Sequence, residues 1–266
     1  MKIGFIGTGN MGGALARAAA KGGHTLLLAN RTPAKAEVLA KELGGTVCQN
    51  AEAAEAAELL FLGVKPQGLP GLAGELAPVL QARKGNAPVV VSMATAVTLR
   101  ELDAMLGGGL PLIRIMPNTP AAVGAGTILY AAQNVTDAQL NAFRAVLAQA
   151  GLLLPLPEAQ IDAASAISGC GPAFCFQFAD ALALGGVRAG LSYPDACRLA
   201  AQTMLGAAEM LLQGGEAPDV LKMRVCSPAG TTIEGVLALE QGGFSYTVQN
   251  AVTAAYRRTV EMTRKG

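Results

Sequence analysis

Short apolar runs alternate with alanine-rich helical stretches through the first half of the chain. The runs predict buried strands at residues 3–6, 25–29, 59–64, 89–92, 112–116, 127–130 and 152–156. The stretches between them predict helices at 12–20, 33–43, 69–80, 99–106 and 137–150. Because strands that alternate with helices form parallel sheets covered on both faces, this half predicts an α/β fold with a doubly wound, mostly parallel sheet.

The hydrophobic pattern changes near Asp162, beyond which strand-like runs disappear. Helices are predicted at 172–185, 193–213, 218–225, 232–241 and 247–265. Three glycine pairs are typical helix terminators, namely Gly185-Gly186, Gly214-Gly215 and Gly242-Gly243. The pattern therefore predicts two domains, an α/β domain at 1–158 and an all-helical domain at 159–266, with a short linker at 155–161.

The helix predicted at 172–185 is apolar nearly all round, with Phe174, Phe176 and Phe178 close together. Such a helix must be buried on more than one side. Because a small helical segment cannot easily do that alone, we expect it to pack on the first domain and on another subunit. The composition agrees, since hydrophobic residues make up 52% of the chain and charged residues only 15%.

Charge and cysteine content argue against several classes of function. The net charge is +1 and no Lys/Arg cluster occurs, so nucleic acid is not an expected partner. No apolar run reaches transmembrane length and no export signal precedes the first strand, so we expect a cytoplasmic protein that binds no membrane. The five cysteines form no CxxC pair, which favours reduced thiols over a zinc site. His24 is the only histidine, which argues against a histidine base or a metal site.

A glycine turn joins the first predicted strand to the first predicted helix. Its residues are Gly7, Thr8, Gly9, Asn10, Met11 and Gly12. In such a turn the first glycine permits a tight bend, the second lets the backbone approach a pyrophosphate, and the third lets the helix lie close to the strand. The helix N-terminus adds N–H groups and a positive dipole end. The turn, placed between a strand and a helix, predicts a dinucleotide coenzyme on a Rossmann domain.

Asn30 and Arg31 follow the second predicted strand, where an NAD enzyme usually has an acidic residue for the ribose 2′-hydroxyl. An amide and a guanidinium suit a 2′-phosphate instead. The sequence therefore favours NADP over NAD, and NADPH over NADH. The alternative is that Arg31 is only a solvated residue on the following turn.

Two further segments end predicted strands at the carboxyl edge, where open sheets bind ligands. Val64, Lys65 and Pro66 close one strand, and Lys65 either meets a phosphate or carboxylate or only caps a loop. Asn118 follows another strand in a stiff loop with two prolines. It either touches the nicotinamide or its ribose, or completes a structural turn.

A loop of small residues precedes a helix in the second half. It contains Ser227, Gly230, Thr231 and Thr232, and Thr231 with Glu234 fits a capping box. Its backbone N–H groups, hydroxyls and helix dipole suit a carboxylate, although an ordinary capped helix start has the same spacing. A second turn of small residues, at 168–172, suits close approach to a nicotinamide or to a neighbouring helix.

These segments resemble the pyrroline-5-carboxylate reductase family over nearly the whole chain. The landmarks are Gly4-Phe5-Ile6-Gly7-Thr8-Gly9-Asn10-Met11, Val64-Lys65-Pro66, Met116-Pro117-Asn118-Thr119-Pro120, Gly169-Cys170-Gly171-Pro172-Ala173-Phe174, and Val225-Cys226-Ser227-Pro228-Ala229-Gly230-Thr231-Thr232-Ile233 through Leu239-Glu240. The resemblance implies NADPH-dependent reduction of a cyclic imine, 1-pyrroline-5-carboxylate, to L-proline, the last step of proline biosynthesis. It also implies a homodimer or higher homo-oligomer with interlocked C-terminal helices and the site at the dimer interface.

The resemblance also implies residue roles. Four residues would hold the substrate carboxylate and ring, namely Ser227, Gly230, Thr231 and Thr232. Thr232 would lie nearest the imine nitrogen and act as the catalytic residue. Besides the glycine turn, the NADP(H) contacts would be Asn30, Arg31, Val64, Lys65, Pro66 and Asn118. Ala229 replaces a usual glycine and Cys170 a usual serine, so we expect no glycine-restricted backbone at the first position and no required hydroxyl at the second.

Imine chemistry also explains why histidine is dispensable. A cyclic imine is appreciably protonated near neutral pH, so the protein needs mainly orientation, water exclusion and a carboxylate anchor. An NADP-dependent β-hydroxyacid dehydrogenase is the nearest alternative, but it needs a lysine base on a buried helix, and the helical half has only Lys222 and Lys265. The other alternative is a non-enzymatic NADP sensor or scaffold, in which the second-half loop only caps a helix.

Overall fold

The computed structural model of the chain describes residues 1–83 and 85–263. The chain divides into two compact units. One comprises Met1–Cys170 together with the C-terminal residues from Tyr256, and the other comprises Gly171–Ala255. The predicted domains, 1–158 and 159–266, stay a prediction, because a division of the chain into compact units does not test domain boundaries.

The first unit is built on one eight-stranded sheet. Its strands are β1 (Lys2–Ile6), β2 (Thr25–Ala29), β3 (Thr46–Val47), β4 (Leu59–Leu62), β5 (Val89–Ser92), β6 (Leu112–Pro117), β7 (Gly126–Gln133) and β8 (Gly151–Pro155). Their order is β3-β2-β1-β4-β5-β6-β7-β8. Every neighbouring pair is parallel except β6 and β7, which are antiparallel. The predicted doubly wound, mostly parallel sheet is confirmed.

Helices connect the strands of this unit. They are α1 (Asn10–Ala20), α2 (Pro33–Leu43), α3 (Asn50–Ala56), α4 (Leu69–Ala82), α5 (Leu99–Met105), α6 (Asp137–Leu147) and α7 (Glu158–Ser168), with short 3₁₀ turns at Pro66–Gly68 and Thr119–Val123. Alternate residues of β4 belong to two separate apolar cores, Leu59 and Phe61 to one and Leu60 and Leu62 to the other. Both faces of the sheet are therefore buried, as the unbroken apolar strands predict.

Three elements of the first unit were not predicted. Strand β3 has only two residues, and helix α3 buries only alanines, Ala53 and Ala54, so neither leaves a readable hydrophobic period. Helix α7 begins at Glu158, inside the segment 155–161 that we interpreted as a linker. That interpretation is wrong, because the segment is helical from Glu158 onward. Ile161 is also fully buried in the core that contains Leu60 and Leu62.

The second unit is helical. Its helices are α8 (Gly171–Arg188), α9 (Tyr193–Gly214), α10 (Pro218–Arg224), α11 (Thr231–Gln241) and α12 (Phe244–Thr263), the last of which continues past Ala255. The hydroxyl of Tyr193 at the start of α9 donates to Asp180 Oδ1 on α8 at 2.7 Å, and this bond raises the pKa of Tyr193 to about 12. The predicted helix at 247–265 is found as α12, while Lys265 lies outside the described residues.

The prediction that Gly185 and Gly186 end a helix is wrong, since α8 runs through both to Arg188. A Cβ on Gly186 would lie 3.1 Å from the Cβ of Ala196, so this glycine allows α8 and α9 to approach closely. Gly190, with φ +100°, follows the helix instead. The other two glycine pairs do lie at helix ends, at the ends of α9 and α11.

The second unit buries little of its own apolar surface. Among residues 171–255, the buried hydrophobic side chains are those of three alanines, Ala183, Ala196 and Ala200. An apolar groove of about 970 Å³ runs between α8, α9, α11 and α12. One helical stretch, Glu158–Arg188, is long and apolar enough to cross a membrane by length and composition, although we predicted no such segment. The core helices of soluble proteins pass the same test.

Candidate active site

The glycine turn lies between β1 and α1 and is held against neighbouring strands. Gly7 has φ +97°, and its N–H donates to the carbonyl oxygen of Ala29 at the end of β2 at 2.8 Å. A Cβ on Gly7 would lie 2.5 Å from the carbonyl oxygen of Gly63, and a Cβ on Gly12 would overlap the carbonyl oxygen of Gly7. These positions need glycine because the turn bends sharply and α1 lies close to the strand.

The start of α1 fits a pyrophosphate. A Cβ on Gly9 would meet no atom within 4 Å, so the backbone is open to a ligand on that side. Gly9 caps the helix without a side-chain hydrogen bond, and the first turn of α1 has no acidic residue. Thr8 is only 8% exposed, yet its hydroxyl has no hydrogen-bond partner among the described residues. An orphaned buried hydroxyl beside an open helix N-terminus is what a phosphate site leaves when only the protein is considered.

The two predicted 2′-phosphate residues have different surroundings. The side-chain oxygen of Asn30 accepts the N–H of Thr8 at 3.1 Å, and its amide donates to the carbonyl oxygen of Thr32 at 2.9 Å. Arg31 is exposed, and its guanidinium makes no ion pair or hydrogen bond within the described part of the chain. Thr32 caps α2 without a side-chain bond, and Lys35 lies exposed in the first turn of that helix.

The coenzyme residues predicted at 64–66 lie just beyond β4, which ends at Leu62. Val64 and Pro66 are partly buried, and Lys65 is exposed and begins the 3₁₀ turn. We missed Gly63: its N–H donates to the carbonyl oxygen of Ile6 at 2.7 Å, and a Cβ there would lie 2.5 Å from the carbonyl oxygen of Gly7. The sequence does contain a signal for Gly63, namely a glycine at the end of a predicted strand. The close-approach argument made for Gly12 could have been applied to it.

Asn118 is buried behind β6 and holds other parts of the first unit together. Its Oδ1 accepts the N–H of Thr127 at 2.8 Å, and its Nδ2 donates to the carbonyl oxygen of Ser168 at 2.8 Å. Both ends of the Asn118 amide are thus bound by other groups of the protein, as the structural alternative for this residue predicts. Its predicted contact with the coenzyme stays a prediction.

The 227–232 loop contains a tight turn in front of α11. The N–H of Gly230 donates to the carbonyl oxygen of Ser227 at 3.0 Å, and Ala229 has φ +57°. With Pro228 before it, this is the pattern of a type II turn, whose third residue favours glycine. The expectation that residue 229 is not restricted to glycine agrees with this geometry: alanine adopts the left-handed conformation there, although that conformation favours glycine. A Cβ on Gly230 would overlap the hydroxyl oxygen of Ser227.

The start of α11 is left uncapped by side chains. The helix begins at Thr231 and is capped by Gly230 without a side-chain hydrogen bond, so the predicted capping box of Thr231 and Glu234 is wrong. The reason is register, because Thr231 is already the first helical residue. Thr231 and Thr232 are both exposed. The first N–H groups of α11 therefore carry no side-chain cap, and the role of Thr231 and Thr232 in binding a carboxylate stays a prediction.

Metal ligands, lysine and cysteine have the following surroundings among the described residues. No group of three or more His, Cys, Asp or Glu side chains is placed to hold a metal ion there. Lys222 lies exposed on the short helix α10 and not on a buried helix. All five cysteines are free thiols.

The fold and the glycine turn define a dinucleotide-dependent oxidoreductase. Residues 2–96 match a family model described as NADP oxidoreductase, coenzyme F420-dependent, and residues 158–262 match one described as pyrroline-5-carboxylate reductase dimerisation. The pyrroline-5-carboxylate reductase of Synechocystis sp. is 39% identical, with 100% of this chain and 99% of that protein covered. The chain belongs to the pyrroline-5-carboxylate reductase family.

Solved structures of the family agree. A pyrroline-5-carboxylate reductase from Coxiella burnetii has a TM-score of 0.90 and 32% identity, covering 97% of both chains. The pyrroline carboxylate reductase of Plasmodium falciparum, solved with NADP bound, has a TM-score of 0.86 and 30% identity, covering 99% of this chain and 98% of that one. The fold of this chain is thus shared with both of these proteins.

Proposed function

We propose that this protein reduces 1-pyrroline-5-carboxylate to L-proline with NADPH, the last step of proline biosynthesis. The observation that carries the proposal is the match, over the full length of the chain, to an enzyme of that name. The open glycine turn and the uncapped start of α11 supply the two kinds of binding site that the reaction needs. Both are anion sites, one suited to a pyrophosphate and one to a carboxylate.

The coenzyme, when bound, supplies the hydride. The reaction joins one hydride and one proton to the C=N bond and gives a secondary amine and NADP⁺. Because the protonated imine is already electrophilic, the protein's own residues have to bind, orient and keep water away. The glycine turn holds the pyrophosphate, Arg31 the 2′-phosphate that favours NADPH over NADH, and Lys65 a phosphate. Asn30, Val64, Pro66 and Asn118 complete the predicted coenzyme surroundings.

The 227–232 loop holds the substrate. Ser227 and Thr231 bind the carboxylate with hydroxyl and backbone N–H groups, aided by the positive end of α11, and Gly230 at the N-cap keeps the place beside the Ser227 hydroxyl free of a Cβ. The Thr232 hydroxyl accepts a hydrogen bond from the protonated imine nitrogen and fixes the ring for attack. Two supports are the exposure of Thr232 and the lack of a side-chain cap on α11.

The protein acts as a homodimer or higher homo-oligomer with interlocked C-terminal helices, and it works in the cytoplasm. The support for the oligomer is the match of residues 158–262 to a dimerisation model, together with the apolar groove of the second unit. The substrate is a small imino acid, and nothing in the charge pattern calls for nucleic acid.

The test mixes the purified protein with NADPH and 1-pyrroline-5-carboxylate and follows the loss of NADPH absorbance. The wild type is expected to oxidise NADPH only when the imine is present. Thr232→Val, which keeps the shape and removes the hydroxyl, is expected to lower kcat roughly ten- to hundredfold. Thr46→Val makes the same change on the exposed edge strand β3 and should leave kcat unchanged.

Two results would count against these assignments. A wild type that consumes no NADPH with this imine contradicts the proposed function. A Thr232→Val variant with wild-type kcat contradicts the role of Thr232 and leaves the reductase function standing.

A further inference from the structure

Asn30 joins two backbone segments of the coenzyme site. Its Oδ1 accepts the N–H of Thr8 in the glycine turn, and its Nδ2 donates to the carbonyl oxygen of Thr32, the N-cap of α2. The distances are 3.1 and 2.9 Å. One side chain therefore ties the turn that would hold the pyrophosphate to the start of the helix beyond β2.

This bond holds the turn at the point where it leaves the sheet. The N–H of Gly7 is bound by the carbonyl oxygen of Ala29, as a continuation of the pairing between β1 and β2. At the next residue no β2 carbonyl takes the N–H of Thr8, and the Asn30 side chain takes it instead. Because Thr8 is only 8% exposed, water cannot easily replace that acceptor.

Arg31 has the opposite character. Its side chain is exposed and, within the described residues, makes no ion pair or hydrogen bond. A guanidinium without a protein partner is available to pair with a phosphate dianion in bidentate fashion. Asn30 and Arg31 are adjacent in sequence, but only the first is already engaged in holding the backbone.

We propose that Asn30 is a positioning residue that shapes the glycine turn for any dinucleotide, while Arg31 alone of the two selects the 2′-phosphate. The proposal rests on the proposed NADP(H)-dependent function and divides the labour within it. Loss of the Asn30 side chain loosens the pyrophosphate end, which NADP⁺ and NAD⁺ share. Loss of the Arg31 side chain affects only the group that NADP⁺ has and NAD⁺ lacks.

The experiment measures Kd for NADP⁺ and NAD⁺ by calorimetry on the wild type, Asn30→Ala and Arg31→Ala, with thermal unfolding of each apoprotein to show that it is folded. Asn30→Ala should raise both Kd values by the same factor, about three- to tenfold, as expected for one lost hydrogen bond. Arg31→Ala should raise Kd for NADP⁺ about tenfold or more and leave Kd for NAD⁺ within about twofold. If Asn30→Ala does not fold, Asn30→Ser, whose hydroxyl is too short to reach Thr8, replaces it.

The outcomes separate cleanly. Weaker NADP⁺ binding with unchanged NAD⁺ binding in the Asn30 variant would make Asn30 a direct 2′-phosphate ligand and overturn the proposal. Unchanged binding of both coenzymes in the folded variant would overturn it as well, since a bond with no role in positioning can be lost without effect on Kd. A wild type that binds neither coenzyme contradicts the proposed function itself and not this division of roles.

Discussion

Ala229 adopts a backbone conformation that usually favours glycine. It occupies the left-handed region with φ +57°, between Pro228 and Gly230 in the turn that precedes α11. An L-residue pays roughly 1–2 kcal/mol there because its Cβ approaches the following carbonyl oxygen. Strain of this kind is often kept at functional loops. The neighbouring residues thus fix the turn, and Ala229 adopts the left-handed conformation at a cost in free energy.

Ala229→Gly is expected to raise the free energy of unfolding by about 1 kcal/mol, because glycine adopts this φ without the Cβ clash. Urea denaturation of the purified protein measures the change. The matched control is Ala238→Gly in the middle of α11, which should lower the free energy of unfolding by about 1 kcal/mol. If both variants are destabilised by similar amounts, position 229 is not strained.

At the residue scale, the sequence predicted types of residue but not their partners. The roles of Gly7 and Gly12 could be predicted because the strand–turn–helix order fixes what each glycine must approach. The engagement of Asn30 by Thr8 could not, since it joins residues 22 positions apart through a side chain. The two bonds of Asn118 were hidden for the same reason.

At the scale of elements, strand β6 and the residue that follows it hold both ends of helix α7. Arg114, whose side chain is 5% exposed, donates to Asp162 Oδ1 at 2.6 Å and to Glu158 Oε1 at 3.4 Å. Glu158 Oε1 also accepts the N–H of Leu99 at the start of α5, at 2.7 Å. At the other end, Asn118 donates to the carbonyl oxygen of Ser168. A helix that sequence patterning missed is therefore fixed by polar contacts at its first and last residues.

Arg114→Leu is expected to lower the free energy of unfolding by about 3 kcal/mol, because it leaves two carboxylates without their buried cation. The midpoint of urea denaturation at constant slope reports the loss. Arg100→Leu removes the same charge from an exposed position on α5 and should change the free energy by less than about 0.5 kcal/mol. Equal effects of the two substitutions would mean that the buried pairing contributes nothing beyond surface charge.

The elements that could be predicted are those with a readable hydrophobic period. Helix α2 has the bounds predicted, 33–43, because Pro33 begins it and Gly44, with φ +70°, follows it. Helix α7 shows only Ile161, Ser165 and Ala166 buried, and two of these are small. Its stability comes from long-range partners such as Arg114, which no local pattern reveals.

At the scale of the whole molecule, the second unit exposes large apolar side chains, as a protein interface does, and buries only small ones. Its buried hydrophobic residues are small alanines, while Phe176 and Tyr246 are each 71% exposed. The apolar groove between its helices includes Leu199, which is 57% exposed. Exposed apolar surface of this extent marks a protein interface. Because residues 158–262 match a dimerisation model, a second copy of the chain is the expected occupant.

If two copies of the chain meet at this groove, Leu199→Glu is expected to give smaller species than the wild type, because a charge would be buried where two apolar surfaces meet. A loss of 2 kcal/mol or more, typical of an interface centre, raises the dimer Kd roughly thirtyfold. Sedimentation velocity over a range of protein concentrations measures it. Gln202→Glu adds the same charge to α9 at an exposed position outside the groove and should leave the mass unchanged. A Leu199→Glu protein that sediments like the wild type at every concentration would show that the groove is not the contact between copies.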